Sequence, residues 1–158
     1  MRPWRNVESD ANALVAAWND PEVSRWTAVP GRTGLADATR WIEGADKRRE
    51  SGIAIDLVIT SVHDDQQVLG EIGLVVVDPA RRWVELGYWT AARHRGQGHA
   101  STGLELLTDW TLGALEARLC YARTHPDNPA SARVAASAGY DHNGDLPDGT
   151  EVWVRQRA

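Results

Sequence analysis

The chain has 158 residues, a net charge of -5 and ordinary fractions of hydrophobic (42%) and charged (25%) residues, which suits one globular domain spanning residues 1–158 and argues against disorder. No stretch approaches the roughly 18–20 apolar residues of a membrane helix, the opening MRPWRNVESD lacks the apolar run of a secretory leader, and the acidic balance argues against general affinity for nucleic acid. Cys120 is the only cysteine, so a disulfide framework and multi-cysteine metal sites are excluded, no metal is expected, and the reducing cytoplasm is the expected compartment.

In chain order, SDANALVAAWND sets Ala11, Leu14, Val15 and Trp18 at helical spacing, with Ser9 or Asp10 as cap and Pro21 beyond the end. DPEVSRWTAVPGR holds the breakers Pro21, Pro30 and Gly31 and reads as a short turn or broken helix. After Thr33, Leu35, Ala38, Trp41, Ile42 and Ala45 share one face of a second helix. From Ile53 the period turns extended. IAIDLVIT, VLGEIGLVVV and RWVELGYWT are three strands whose short polar connections force an antiparallel meander, since a parallel crossover needs a dozen or more residues. Leu104, Leu107, Thr111, Ala114 and Leu115 mark a further helix, LCYART a strand, Asn128-Pro129 a helix start, Gly139 its stop and TEVWVRQ a final strand. DHNGDLPDG, before that strand, is acidic. Helices, then a meander, then alternating strands and helices predict an α+β fold: a mixed, mostly antiparallel sheet with helices on both faces. Eight tryptophans and no phenylalanine predict tryptophan in core places.

RHRGQGHA, residues 93–100, concentrates charge in an acidic chain. It follows a strand and opens a helix, whose first N–H groups have no internal partner and whose dipole adds partial positive charge. Gly96 and Gly98 permit close backbone approach, and Arg93, Arg95, His94 and His99 add charge, so the stretch reads as a phosphate or pyrophosphate site or as a glycine turn with solvated arginines. The Gly-Lys-Ser/Thr of a P-loop is missing. The dinucleotide fingerprint fails on context: about 20 residues on, an acid is required where the chain has Arg123 and Thr124.

ELGYWTAARHRGQGHA resembles the strand-loop-helix signature of the GNAT superfamily of N-acetyltransferases, RHRGQG fitting its Arg/Gln-x-x-Gly-x-Gly/Ala pattern, and HPDNPASARVAASAGY resembles that superfamily's later segment. RPW, NDPEVSRW, LGEIGL and ELGYW are similar to the RimJ/RimL-type branch, which acetylates protein N-termini and has relatives acting on small amines. The resemblance covers nearly the whole chain and implies a GNAT-type acyl-CoA N-acyltransferase fold with acetyl-CoA as cofactor. It implies that Tyr88, Trp89 and Thr90 offer backbone groups to the pantetheine arm, and that Arg93, Arg95, Gly96, Gln97, Gly98, His99 and Ala100 hold the pyrophosphate. Asn128 would contact pantetheine and Ser131 would sit near the sulfur. Asn128 before Pro129 is equally a helix cap.

Direct transfer to a primary amine, a protein N-terminus or a small molecule, is the implied reaction. The amine must lose a proton, the oxyanion needs a donor and the departing thiolate takes a proton. Ser131 is the candidate acid, with water as the alternative, because Ala135 stands where many members carry an acid tyrosine. Glu85 is the first candidate base, ahead of Glu71; Glu151 and a water chain are the others. Trp26, Arg25 and Trp41 fall in the region of the family's acceptor wall, with core packing as the competing reading. A non-catalytic acyl-CoA sensor is the alternative function, and a homodimer is the assembly this reading allows. Members of the family usually carry several residues before RPW that complete the first strand, whereas here Met1 directly precedes Arg2; a short first strand or a true start upstream is the expectation.

Overall fold

Strand alternation sorts the middle of the chain into two apolar faces. Val58 and Ile59 point to opposite sides in β2 (Ile55–Thr60), as do Val68 and Leu69 in β3 (Val68–Asp78) and Tyr88 and Trp89 in β4 (Trp83–Thr90). Each face therefore needs cover, and two sets of helices supply it.

The computed structural model describes residues 1–29 and 34–157. Its seven strands, completed by β1 (Arg2–Pro3), β5 (Leu119–Thr124), β6 (Asp141–Asp145) and β7 (Glu151–Gln156), form one sheet in the order β1-β2-β3-β4-β5-β7-β6. The meander β2 to β4 is antiparallel as expected, β1 adds antiparallel to β2, and β4 meets β5 in parallel after a crossover through α5 (His99–Gly113). No described helix is long and apolar enough to cross a membrane.

On one face, Leu104 and Leu107 of α5 and Ala135 of α6 (Pro129–Ser137) close over Ile72, Leu74, Val84 and Leu86 in an aliphatic core. On the other, α1 (Glu8–Trp18), α2 (Pro21–Trp26) and α3 (Leu35–Glu43) cover Val58, Val68 and Trp89. Here tryptophan does take core places: the Trp4 and Trp18 rings meet Trp41 edge-on at 6.1 and 6.2 Å, an arrangement favoured by the ring quadrupole. Trp83 and Trp110 stay exposed.

The structure corrects several local expectations. Asp10 is no cap; it is wholly buried within α1, where its carboxylate accepts from Arg2 at 2.7 and 2.8 Å and from the Arg5 N–H at 2.9 Å, tying the first strand to the first helix. The segment Pro21–Trp26 is a helix of its own, with Pro21 in its first turn and the Asp20 carboxylate accepting the Glu22 N–H. The long second helix is two, α3 and α4 (Ala45–Glu50), parted at Gly44. Arg48 explains the break: its guanidinium folds back to the Trp41 carbonyl and the Asp56 carboxylate, stacks 4.1 Å from the Trp41 ring, and occupies the space a side chain at residue 44 would need. Pro30, Gly31 and Thr33 lie outside the described residues. Ala114 and Leu115 fall beyond the end of α5 and are exposed. The acidic stretch after Tyr140 contributes β6, which pairs only with β7.

Candidate active site

Parallel pairing between β4 and β5 runs only from Trp83 and Leu119 to Glu85 and Tyr121. Farther on, β4 keeps β3 as its neighbour and β5 keeps β7, so the two strands splay and one edge of β4 from Gly87 to Thr90 is open. A cleft of about 570 Å³ fills the splay, lined by Tyr88, Trp89 and Thr90, by the glycine loop and the start of α5, by α6 and by α2.

The loop leaves β4 through a single 3-10 turn, Ala92–His94, and reaches α5 with Gly96 at φ +72° and Gly98, its N-cap, at φ +81°. Both angles are left-handed, which glycine adopts without a Cβ penalty. The first helical bond runs from the Thr102 N–H to the Gly98 carbonyl at 3.0 Å, leaving the amides of His99, Ala100 and Ser101 without an intrahelical acceptor. His94 faces the same cleft, and its buried Nε2 has no hydrogen-bond partner. Burial, then the neighbouring Arg93 and His99, hold this imidazole below its usual pKa. An open strand edge, free amides and an orphaned ring nitrogen in one line fit a long ligand ending in a diphosphate.

Of the expected loop residues, Arg95, Gly96, Gly98, His99 and Ala100 line the cleft, whereas Arg93 and Gln97 do not. Gln97 turns back, its amide donating to the Arg93 carbonyl at 3.2 Å and meeting His99 Nε2 at 3.2 Å. The Arg95 guanidinium donates to Asp20 at 2.7 Å and to the Thr90 carbonyl at 3.2 Å. Its charge thus clamps α2 to the loop.

Asn128 and Ser131 both line the cleft. Asn128 also caps α6, its side chain accepting the Ser131 N–H at 3.2 Å, so the capping residue is at the same time part of the cleft wall. The Tyr88 hydroxyl stands 3.0 Å from both the carbonyl oxygen and Oγ of Ser131, and burial pushes its phenol up to about 12.

Glu85, on the opposite face of β4 from Leu86 and Tyr88, is the last residue paired to β5 before the splay. It is buried, it does not line the cleft, and Arg123 holds its carboxylate by two bonds of 2.8 and 3.1 Å. Glu71 lies on the same face of β3, where its carboxylate accepts the indole N–H groups of Trp4 at 2.7 Å and Trp89 at 3.1 Å. Burial, reinforced by Asp56, pushes this carboxyl up to about 7. Glu151 accepts from the Thr124 hydroxyl at 2.8 Å and from Trp153 at 3.2 Å. The Cys120 thiol has no exposure, and burial raises it to about 12, as suits an inert core residue.

Opposite α6, Trp26 lines the cleft, its N–H donating to Glu22 at 3.1 Å, with the His125 ring 5.1 Å away and the Arg25 guanidinium 4.3 Å over its face. Trp41 belongs to the tryptophan core and does not line the cleft. Sequence reasoning missed Glu22, Val23 and Thr27, which also line it. Their signal was available: Glu22, Val23, Trp26 and Thr27 lie at helical spacing after an Asp-Pro start.

Residues 1–141 match the family described as the acetyltransferase (GNAT) domain. The chain is 27% identical over 139 residues to the uncharacterized N-acetyltransferase p20 of Bacillus licheniformis, covering 88% of this chain and 78% of that one. It is 27% identical over 104 residues to the ribosomal-protein-serine acetyltransferase of Escherichia coli strain K12, covering 66% and 56%. The fold matches that of Mycobacterium smegmatis RimJ in complex with CoA-disulfide with a TM-score of 0.83 at 21% identity, covering 98% of this chain and 80% of that one. The family match includes the open edge of β4, the glycine loop and all of α6, and the chain belongs to the GNAT family of acetyltransferases.

Proposed function

We propose that this protein transfers the acetyl group of acetyl-CoA to a primary amine, a protein N-terminus or a small-molecule amine, by direct attack in a ternary complex in the cytoplasm. The observation that carries the reading is the continuity of the cleft: the open edge of β4 leads into the unpaired amides at the start of α5. The strand edge pairs with pantetheine as an added strand would, Gly96 to Ala100 receive the diphosphate, and Asn128 meets the arm beside Ser131.

Three steps then need groups. A lysine-type amine near pKa ~10 or an α-amine near ~8 must lose its proton. Glu85 takes it through water; Arg123 occupies one direction on each carboxylate oxygen and leaves others able to accept. A backbone N–H on the open part of β4 meets the oxyanion. Ser131 gives a proton to the departing sulfur. Glu22 at the cleft wall and the acidic β6–β7 turn favour a cationic acceptor.

The test is release of free thiol from acetyl-CoA across a panel of peptides and small amines, run beside calorimetric titration of the cofactor. Turnover with at least one amine is expected. Tight acetyl-CoA binding with no turnover anywhere in the panel would leave a cofactor sensor instead.

A further inference from the structure

The hydroxyls of Ser131 and Thr108 bond a tyrosine hydroxyl from another element and not their own helix. Thr39, Ser101 and Thr111 each turn back to a carbonyl one turn earlier in the chain, the usual resting place for such a group. The Ser131 hydroxyl makes no such bond; its partner is the Tyr88 hydroxyl across the splay, at 3.0 Å. The same phenol is 3.0 Å from the Ser131 carbonyl oxygen, and the Ser131 N–H is taken by Asn128.

From this geometry we infer, resting on the acetyl-transfer reading, that Tyr88 is a positioning residue for Ser131: it holds Oγ with its hydrogen turned into the cleft and restores the proton that Ser131 gives away. A phenol has one hydrogen and here two oxygens to receive it. While Tyr88 is the donor to both, the Ser131 hydrogen is free to face the cleft that both side chains line. As the thioester C–S bond breaks, sulfur leaves with the bonding pair and takes the Ser131 hydrogen. Oγ takes the phenolic hydrogen, water returns one to Tyr88, and the hydroxide so formed is neutralised by the proton that the amine gave up. A phenol is protonated at neutral pH even at its ordinary value, and burial only raises this one further, so the reserve is filled. Ala135 leaves α6 without a phenol of its own at that position; β4 brings one from the other arm of the splay. Tyr140 makes a comparable 2.6 Å pair with Thr108, but neither residue reaches the cleft, which makes it the internal control.

The experiment compares Tyr88→Phe, Ser131→Ala, the double variant and Tyr140→Phe for kcat, acetyl-CoA affinity and proton inventory in mixed light and heavy water. Tyr88→Phe is expected to lower kcat roughly a hundredfold, the lower range for a positioned proton donor, while acetyl-CoA affinity stays within about twofold, and the double variant is no slower than the slower single one. A curved inventory in the parent should become linear. Without any ligand, Ser131→Ala should move the ring-carbon resonance of Tyr88 and leave that of Tyr140. An unchanged kcat in Tyr88→Phe, strictly multiplicative losses, or a fall in affinity and melting temperature matching the fall in kcat overturns the inference and leaves acetyl transfer standing. A parent protein that neither binds nor consumes acetyl-CoA overturns both.

Discussion

The two halves of β4 belong to one strand and meet opposite ends. From Trp83 to Glu85 it has β3 on one side and β5 on the other, and Arg123 of β5 holds the carboxylate of Glu85. From Gly87 to Thr90 it keeps β3 alone, and Tyr88, Trp89 and Thr90 face the cleft. The cause lies in β5, which leaves β4 after Tyr121 but stays paired with β7 as far as Thr124. Buried backbone groups require partners, so a strand that loses its neighbour halfway becomes a receptor for something else.

That contrast can be broken most severely at Gly70. A Cβ there would come 2.3 Å from the Trp89 carbonyl oxygen and force the open half of β4 aside. Gly70→Ala should cost about 3 kcal/mol, a fall in melting temperature of roughly 6–12 °C by calorimetry. Gly87→Ala, whose methyl meets Val75 Cγ1 at 3.1 Å, should cost less.

A second pair of variants sharpens the division of labour. Glu85→Gln, in the closed half, should reduce kcat roughly a hundredfold at unchanged acetyl-CoA affinity. Gly98→Val should do the reverse, weakening acetyl-CoA about tenfold by calorimetry, because a β-branched residue resists φ +81°. If each variant shifted both quantities equally, the two halves would not be separable.

Glu71, beneath the open half, carries a pH signature. Its carboxyl rises from 4.5 to about 7 on folding, so the folded state favours the protonated form; the stabilisation is present below 4.5 and lost as pH rises towards 7. Chemical unfolding of Glu71→Gln over that window should lack this slope. The smallest effect belongs to Asn128→Ala, about 1 kcal/mol for a lost cap, with weaker acetyl-CoA binding if the residue also serves the cofactor.

What could be read from the sequence was what depends on neighbours along the chain. Short turns dictated the antiparallel meander, and Gly96 with Gly98 before an amphipathic run marked the loop, because both are local requirements of backbone geometry. Pairings across the fold were hidden. Arg123 reaches Glu85 only because β5 lies parallel to β4, and Arg95 reaches Asp20 across 75 positions. Asp10 satisfies every local rule for a cap and is instead a buried partner of Arg2. β6 carries no alternating apolar pattern, since all five of its residues are exposed and β7 alone holds it. Asn128 looked like a choice between two roles because composition cannot show that a cap and a cleft wall coincide.

The same exposed strand governs how these molecules can meet. β6 forms one rim of the sheet and bears Asp141 and Asp145, with Gly144 at φ +91° and a register shift between His142 and Asp145; the other rim is the two-residue β1, ending in Pro3. Charge, irregularity, brevity and proline all spoil a rim as a template for further strands. Fibrous aggregation by growth of further strands on the β6 rim is therefore disfavoured.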